Sequence, residues 1–318
     1  MNTLIHNNEF VIFDLFVKNN MLYIISPCPN PSIDVCNFKI INKTDISDIE
    51  LVFYEELNKI NYYESFQLFI FISNNESIFS NININYYNCN NSYKVENIIS
   101  TIKYKLVLTT LFKDDYKLFP IFYNYYKKQG INHFYMYYNG IVNDDIKLIL
   151  THEDVTLIEW DYRYWSQYKD RLHYAQSAHI HHSLYRYGKD NSEYIIFCDL
   201  DEYLYIPNKT IKEYIIENKD IDHIKFLNYW SETTDKLVPT NFPTEFKFTN
   251  CLKYTDRSKN LYKTDKIKQI LIHYPETNNT LKSSATFYMF HFYNWTRITR
   301  QITNQLFTNT FPNYFTLI

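Results

Sequence analysis

The sequence predicts an α/β protein: a mostly parallel sheet flanked by helices, preceded by a β-rich N-terminal region. Three observations carry this. From about residue 103 onward, strand-like apolar runs alternate with helical stretches, the rhythm of parallel strands joined by helices. Residues 1–98 instead alternate short apolar runs with polar turns. The chain's only three glycines, Gly130, Gly140 and Gly188, all lie where the second rhythm needs a helix end or a turn. The expected division is therefore 1–98 and 99–318.

In the first region FVIFDLFV, MLYIIS and FQLFIFIS read as strands, with a hairpin turn near Lys18-Asn19-Asn20. In a chain with so little glycine, Asn is expected to do turn work, because it tolerates the left-handed region better than most residues. In the second region YKLVLTTLF is a strand, DYKLFPIFYNYYKKQG a helix and HFYMYYN a strand. DDIKLIL (helix), VTLIEW (strand), KDRLHYAQSAHIHHSLYRYG (helix) and YIIFC (strand) follow. Gly130 and Gly188 close helices, where a positive φ is wanted. Pro120 should kink or delay the first helix. Thr210 and Glu213 are spaced as a capping box for TIKEYIIEN, and HIKFLNYW is the next strand. Beyond it the pattern is mixed and no element stands out.

With 318 residues, 46% of them hydrophobic, the chain has ample core material. A formal charge of −3 gives no footprint for nucleic acid. Five scattered cysteines without a CxxC pair argue against structural zinc or a disulfide framework and for a reducing compartment, the cytoplasm. No signal peptide and no membrane span is read. High Asn, Ile, Lys and Tyr with scarce Gly is the mark of an AT-rich genome. With the missing targeting signals it suits a large DNA virus, placing the protein in infected host cytoplasm or a virion.

The segment YIIFCDLDEYLYIPN runs an apolar strand into Asp199, Asp201 and Glu202. In an extended chain Asp199 and Asp201 share one face, at the carboxyl edge where open α/β sheets bind ligands. Mutually repelling carboxylates call for a cation, and oxygen donors suit Mn²⁺ or Mg²⁺ bridging to phosphate. The plainer reading is a solvated loop whose acids pair with Lys209 or Lys212.

This strand and its acids, preceded by LYRYGKDNSEYIIF, resemble the A-type glycosyltransferase fold, and more narrowly glycosyltransferase family 92. KDDYKLFPIFYNYYKKQGINHFYMYYNG follows the family's strand–helix–strand outline, and the Gln-bearing YAQSAHIHHSLYRYG and the pair His291-Phe292 occur in the family's order. The resemblance spans roughly residues 103 to 300. Asp114-Asp115 stands where the family usually has Asn-Glu, and YWSETTDK replaces an expected glycine-containing loop.

The resemblance implies a nucleotide-sugar donor, a UDP-sugar, with Mn²⁺ (or Mg²⁺) on its diphosphate. Asp201 is then the foremost metal ligand, Asp199 reaches the metal through water or binds the donor ribose, and His291 is a third ligand unless it is simply packed. Thr110, Phe112, Lys113 and Asn139, at strand ends on the same edge, are candidates for contacting the nucleoside, as are Arg171 and Gln176 on the preceding helix. Glu232 and Asp235 are candidate general bases, against the alternative of solvated loop acids. Trp165, Tyr229 and Trp230 could stack on sugar rings or lie in the core. His179, His181 and His182 lack the i, i+4 spacing of a helical metal pair and are expected to be surface or packed residues.

The function expected is a metal-dependent glycosyltransferase, inverting, that moves a hexose from a nucleotide-sugar to a glycan, protein or lipid acceptor. A nucleotidyltransferase is disfavoured by the absence of a glycine-rich phosphate loop. A non-catalytic glycan-binding or scaffolding protein on a degenerate transferase fold is the alternative. Residues 1–98 would bind acceptor, form a homo-oligomer, or pack as an extension of the catalytic domain.

Overall fold

The computed structural model describes residues 1–6, 9–26, 38–40, 49–59, 64–73, 81–86, 89–99, 101, 103–165, 174–233, 239–243, 246–249, 257–273, 281 and 283–295. The chain forms two compact units: Met1–Lys103 with Tyr162–Asn191, and Tyr104–Asp161 with Ser192–Ile318.

The first unit holds a five-stranded sheet in the order Asn97–Ile98, Asp14–Lys18, Met21–Ser26, Glu64–Ser73, Ile49–Lys59. A three-stranded sheet of Phe38–Ile40, Asn81–Tyr86 and Cys89–Lys94 and a two-stranded pair complete it. The expected hairpin is present: Lys18 pairs with Met21 across Asn19 and Asn20, whose φ angles of 50° and 62° are left-handed.

The helix Tyr174–Ser183, extended by a π turn over Leu184–Gly188, groups with this unit rather than with residues 99–318 as expected. The buried Asp14 carboxylate supplies the reason, since it accepts from His182 Nε2 at 2.9 Å and Arg186 Nη1 at 3.1 Å. His179, His181 and His182 are all buried, as packed residues. The positive φ expected at Gly188 falls instead at Asp190 (67°), a residue type that tolerates it.

The second unit is built on a nine-stranded sheet. Its strands are β1 (Tyr104–Phe112), β2 (His133–Tyr138), β3 (Val155–Glu159), β4 (Ser192–Phe197), β5 (Glu202–Tyr205), β6 (His223–Glu232), β7 (Lys247–Thr249), β8 (Lys259–Lys263) and β9 (Ser284–His291). The order is β3-β2-β1-β4-β8-β6-β9-β5, with β7 on β6. Strands β1 to β4 pair in parallel, whereas β8 runs antiparallel to both β4 and β6. The predicted α/β class holds, with a mixed second half.

The chain moves outward from β1 to β3 and then resumes at β4 on the other side of β1. That reversal makes the carboxyl edge between β1 and β4 a topological switch point, the place where open α/β sheets leave a crevice.

Helix α1 (Phe119–Lys128) carries Pro120 in its first turn, after a 3-10 turn over Tyr116–Leu118. The proline thus delays the helix rather than kinking it, because a first-turn N–H has no helical partner to lose. Gly130 follows at φ 89°, where a Cβ would also lie 2.4 Å from Lys212 Cβ. Helix α2 (Asp144–Ile149) is capped by Asn143, and α3 (Ile211–Glu217) by the predicted Thr210–Glu213 box.

Residues Phe119, Phe122, Tyr125 and Tyr126 of α1 enter the core shared with alternate residues of the sheet. Two of these tyrosines protect the edge strand β5. Tyr125 donates to the Leu204 carbonyl at 2.8 Å, and the Tyr126 hydroxyl donates to the Glu202 carbonyl at 2.9 Å while accepting from Leu204 N at 3.0 Å. An edge strand leaves backbone groups unpaired, and here α1 side chains satisfy them. Among the described residues no helix is long and apolar enough to cross a membrane.

Candidate active site

Strand β4 ends at Phe197, two residues short of the first acid. The acids therefore do not alternate on an extended strand, as the sequence suggested. Glu202 N donates to the Asp199 carbonyl at 3.1 Å, closing a turn, and Asp199 N donates to Glu202 Oε2 at 2.8 Å. A side chain that bonds the backbone three residues earlier offers a local alternative to strand pairing. As a result Asp199 and Asp201 meet different partners.

Asp199 meets a lysine. Antiparallel pairing of β4 with β8 sets Phe197 opposite Asn260, so Lys259 lies beside the start of the acid turn. Its ammonium is 2.8 Å from Asp199 Oδ2 and 3.1 Å from Glu202 Oε2, and its side chain is only 3% exposed. Burial opposes the charge of Lys259, but Asp199 and Glu202 together outweigh it and hold its pKa well above the ordinary value. Burial likewise works against the Asp199 carboxylate, yet Lys259 prevails and its pKa is lowered.

Asp201 meets His291. Residue 291 ends β9, paired opposite Glu202 of β5, and its Nε2 is 3.3 Å from Asp201 Oδ2. Its Nδ1 faces Glu202 Oε1 at 3.7 Å, without a hydrogen-bond partner among the described residues. Burial favours neutral imidazole, but Asp201, Glu202 and Asp199 overcome it and raise the His291 pKa.

Two acids carry the opposite strain. Burial, then in smaller part Asp199 and Asp201 against the pull of Lys259, pushes Glu202 up to about 7. Burial and the charges of Asp201 and Asp199 push Asp115, on the turn after β1, up to about 6. The cluster thus sets four carboxyl groups against the Lys259 ammonium and the His291 imidazole, with His273 also acting on Asp199.

On β6, Trp230 pairs with His291 of β9 in the parallel register. Trp230 and Glu232, two residues apart, share a sheet face. Glu232 accepts a hydrogen bond from the Tyr293 hydroxyl at 3.0 Å, and Trp230 packs against Tyr293 with centroids 5.1 Å apart. Glu232 is thereby brought to the face that carries His291.

The remaining expected residues divide. Thr110 is buried, its hydroxyl without a partner among the described residues. Phe112 lies in the core against Tyr138, and Lys113 is exposed, its backbone N–H donating to Asp115 Oδ1 at 3.1 Å. Asn139 is buried and donates to the Trp160 carbonyl at 2.9 Å, a bond that braces the ends of β2 and β3. Gln176 belongs to the first unit and accepts from the Tyr164 hydroxyl at 2.9 Å. Arg171 and Asp235 lie outside the described residues.

Sequence reasoning missed Lys259 and the part played by Asp115. A lysine in RSKNLYK has no local signal for burial; only the β4–β8 register reveals it.

Among the described residues no three His, Cys, Asp or Glu side chains form a preformed metal cluster. Asp201 and His291 nevertheless present an oxygen and a nitrogen donor side by side, in a cluster with an excess of carboxyl groups. Such a pair fits a Mn²⁺- or Mg²⁺-type cation that completes its coordination with phosphate oxygens and water.

No curated protein sequence matches the chain. Among solved structures, the crystal structure of S. aureus TarS 1–349 is 11% identical, with 59% of this chain and 60% of that chain covered and a TM-score of 0.35. The apo structure of the bifunctional glycosyltransferase WbbM is 13% identical, with 43% and 26% covered and a TM-score of 0.26. This chain therefore spans three-fifths or less of either, and likenesses so distant carry no argument about the site. The profile of glycosyltransferase family 92 matches residues 108–312, well over half the chain, and takes in β4, the acid turn, Lys259 and His291. The chain belongs to glycosyltransferase family 92.

Proposed function

We propose that this glycosyltransferase is metal-dependent and moves a hexose from a UDP-sugar to a hydroxyl of a glycan, protein or lipid acceptor, with inversion at the anomeric carbon. The observation that carries the reading is the pairing of Asp201 with His291 beside the Lys259-bound turn, at the switch point of the sheet. Asp201 and His291 would hold Mn²⁺ or Mg²⁺, and Glu202, facing His291 Nδ1, would fix the imidazole's orientation. When bound, the cation stabilises the charge that builds on the departing nucleoside diphosphate. Asp199, with one oxygen on Lys259 and its side chain 36% exposed, faces the donor ribose or an intervening water.

Glu232 is the general base. One of its oxygens is held by Tyr293, and the other is left to accept the proton of the acceptor hydroxyl. The acceptor oxygen then bonds the anomeric carbon as the bond to the diphosphate oxygen breaks, and the nucleoside diphosphate leaves with the electron pair. Asp235 is the second candidate base. Tyr229 packs edge-to-face on Tyr288, with ring centroids 5.5 Å apart, and Trp230 is committed to His291. Family membership and this charged cluster favour an enzyme over a degenerate binding module. The five scattered cysteines without a CxxC pair support a reducing, cytoplasmic setting.

The test is product stereochemistry. The protein is incubated with each UDP-sugar, Mn²⁺ and simple glycoside acceptors, UDP release is followed, and the product is read by proton NMR. An anomeric configuration opposite to the donor's is expected; retention would overturn the inverting assignment and Glu232 with it.

A further inference from the structure

We propose that Lys259 is a positioning residue of the transfer site: it holds Asp199 and Glu202 in an internal ion-pair triad and so assigns the divalent cation to Asp201 and His291. This rests on the metal-dependent reading given above. Lys259 is a buried lysine whose ammonium contacts two carboxylates at 2.8 and 3.1 Å. The Glu202 carboxylate also accepts from the Asp199 backbone N–H, at 2.8 Å to Oε2. Glu202 links the triad to His291, whose Nδ1 faces its Oε1 at 3.7 Å. Asp201 makes no contact with Lys259: its backbone carbonyl accepts from Phe292 N at 2.8 Å and its carboxylate lies beside His291 Nε2.

An ammonium this buried is not placed to touch a diphosphate. Its ability to act is indirect: it neutralises one acid and fixes the turn that aims the other. Lysine suits this task because an ammonium is a compact point charge with three donors, able to serve two carboxylates at once.

Removing Lys259 would make the cluster one charge more negative and free Asp199 to turn toward the cation. Metal binding should therefore tighten while the geometry for donor transfer is lost, a pairing that mere loss of stability does not produce.

The experiment measures Mn²⁺ binding to the full chain by titration calorimetry and by the Mn²⁺ electron paramagnetic resonance signal, with and without UDP. In the wild-type background, Asp199→Asn is expected to change the Mn²⁺ dissociation constant by less than about threefold, and Asp201→Asn or His291→Ala to raise it at least about tenfold. Lys259→Met should lower it several-fold, and adding Asp199→Asn to that variant should now cost about tenfold. Lys259→Arg, which keeps the charge, should stay near wild type.

If Asp199→Asn costs the wild type as much as Asp201→Asn, Asp199 is a direct ligand and the role of Lys259 is overturned while metal dependence stands. A wild type that binds no Mn²⁺ even with UDP overturns metal dependence and this proposal together. Should Lys259→Met fail to fold, the comparison of Asp199→Asn with Asp201→Asn, together with Lys259→Arg, still decides.

Discussion

The imidazole of His291 stacks on the indole of Trp230, with ring centroids 4.7 Å apart and planes within 14°. The stack follows from parallel register, since residues 230 and 291 are neighbours on β6 and β9. It fixes the ring plane, so that one nitrogen faces Asp201 and the other Glu202. Trp230→Ala should cost about 3–5 kcal/mol by loss of buried contact and cavity formation. Trp230→Phe, which preserves a flat partner, should cost less and leave His291 in place. Urea unfolding of the two variants measures the difference.

Glu232 is held by Tyr293 on the same sheet face. If it takes the acceptor proton, Glu232→Gln should lower kcat by roughly 10²–10⁴-fold. The KM for the donor should hardly move, because that variant removes a proton acceptor and not a donor contact. Steady-state kinetics with a fixed acceptor separates the two parameters.

The Tyr126 hydroxyl ties α1 to both Glu202 O and Leu204 N, directly beneath the acid turn. Tyr126→Phe leaves the buried Leu204 N–H without this acceptor, which should cost about 1–3 kcal/mol. Because β5 then loosens where it carries Glu202, transfer activity should fall further than stability alone requires. Thermal denaturation and activity at a fixed temperature well below the transition test this together.

His181 gives the first unit a pH dependence. Burial pushes its pKa from 6.5 down to about 3, while Nδ1 donates to the Ser177 carbonyl at 2.7 Å. The folded chain keeps it neutral where the unfolded chain takes up a proton. Its contribution to stability is therefore complete above pH 6.5 and is lost as pH falls toward 3, at up to roughly 1.4 kcal/mol per pH unit. Between pH 7 and 5 the wild type should lose more transition temperature than His181→Gln; equal losses would refute the assignment.

Local chemistry was legible in the sequence and long-range pairing was not. Asn19-Asn20, the Thr210–Glu213 cap and strands β1 to β4 each declare themselves within a few residues, through turn chemistry or apolar periodicity. Strand β5 begins on Glu202 inside the acid cluster and runs only four residues, too short to show a period. Strands β8 and β9 take their places from sheet register, and Lys259 depends wholly on β8. The acids were found because three in four positions after an apolar run demand a counter-charge. That part of it comes from a lysine was invisible, since nothing near residue 259 marks it for burial.

The most direct test of the central claim is a thermal-shift panel of UDP-sugars, each with and without Mn²⁺, on wild type and Asp201→Asn. A ligand at about 100 times its dissociation constant stabilises the folded state by roughly 2.7 kcal/mol, a readily visible shift. The account predicts that at least one UDP-sugar raises the transition temperature only when Mn²⁺ and Asp201 are both present. A cooperative transition that no UDP-sugar moves, or one that moves equally without Mn²⁺ or in Asp201→Asn, would contradict it.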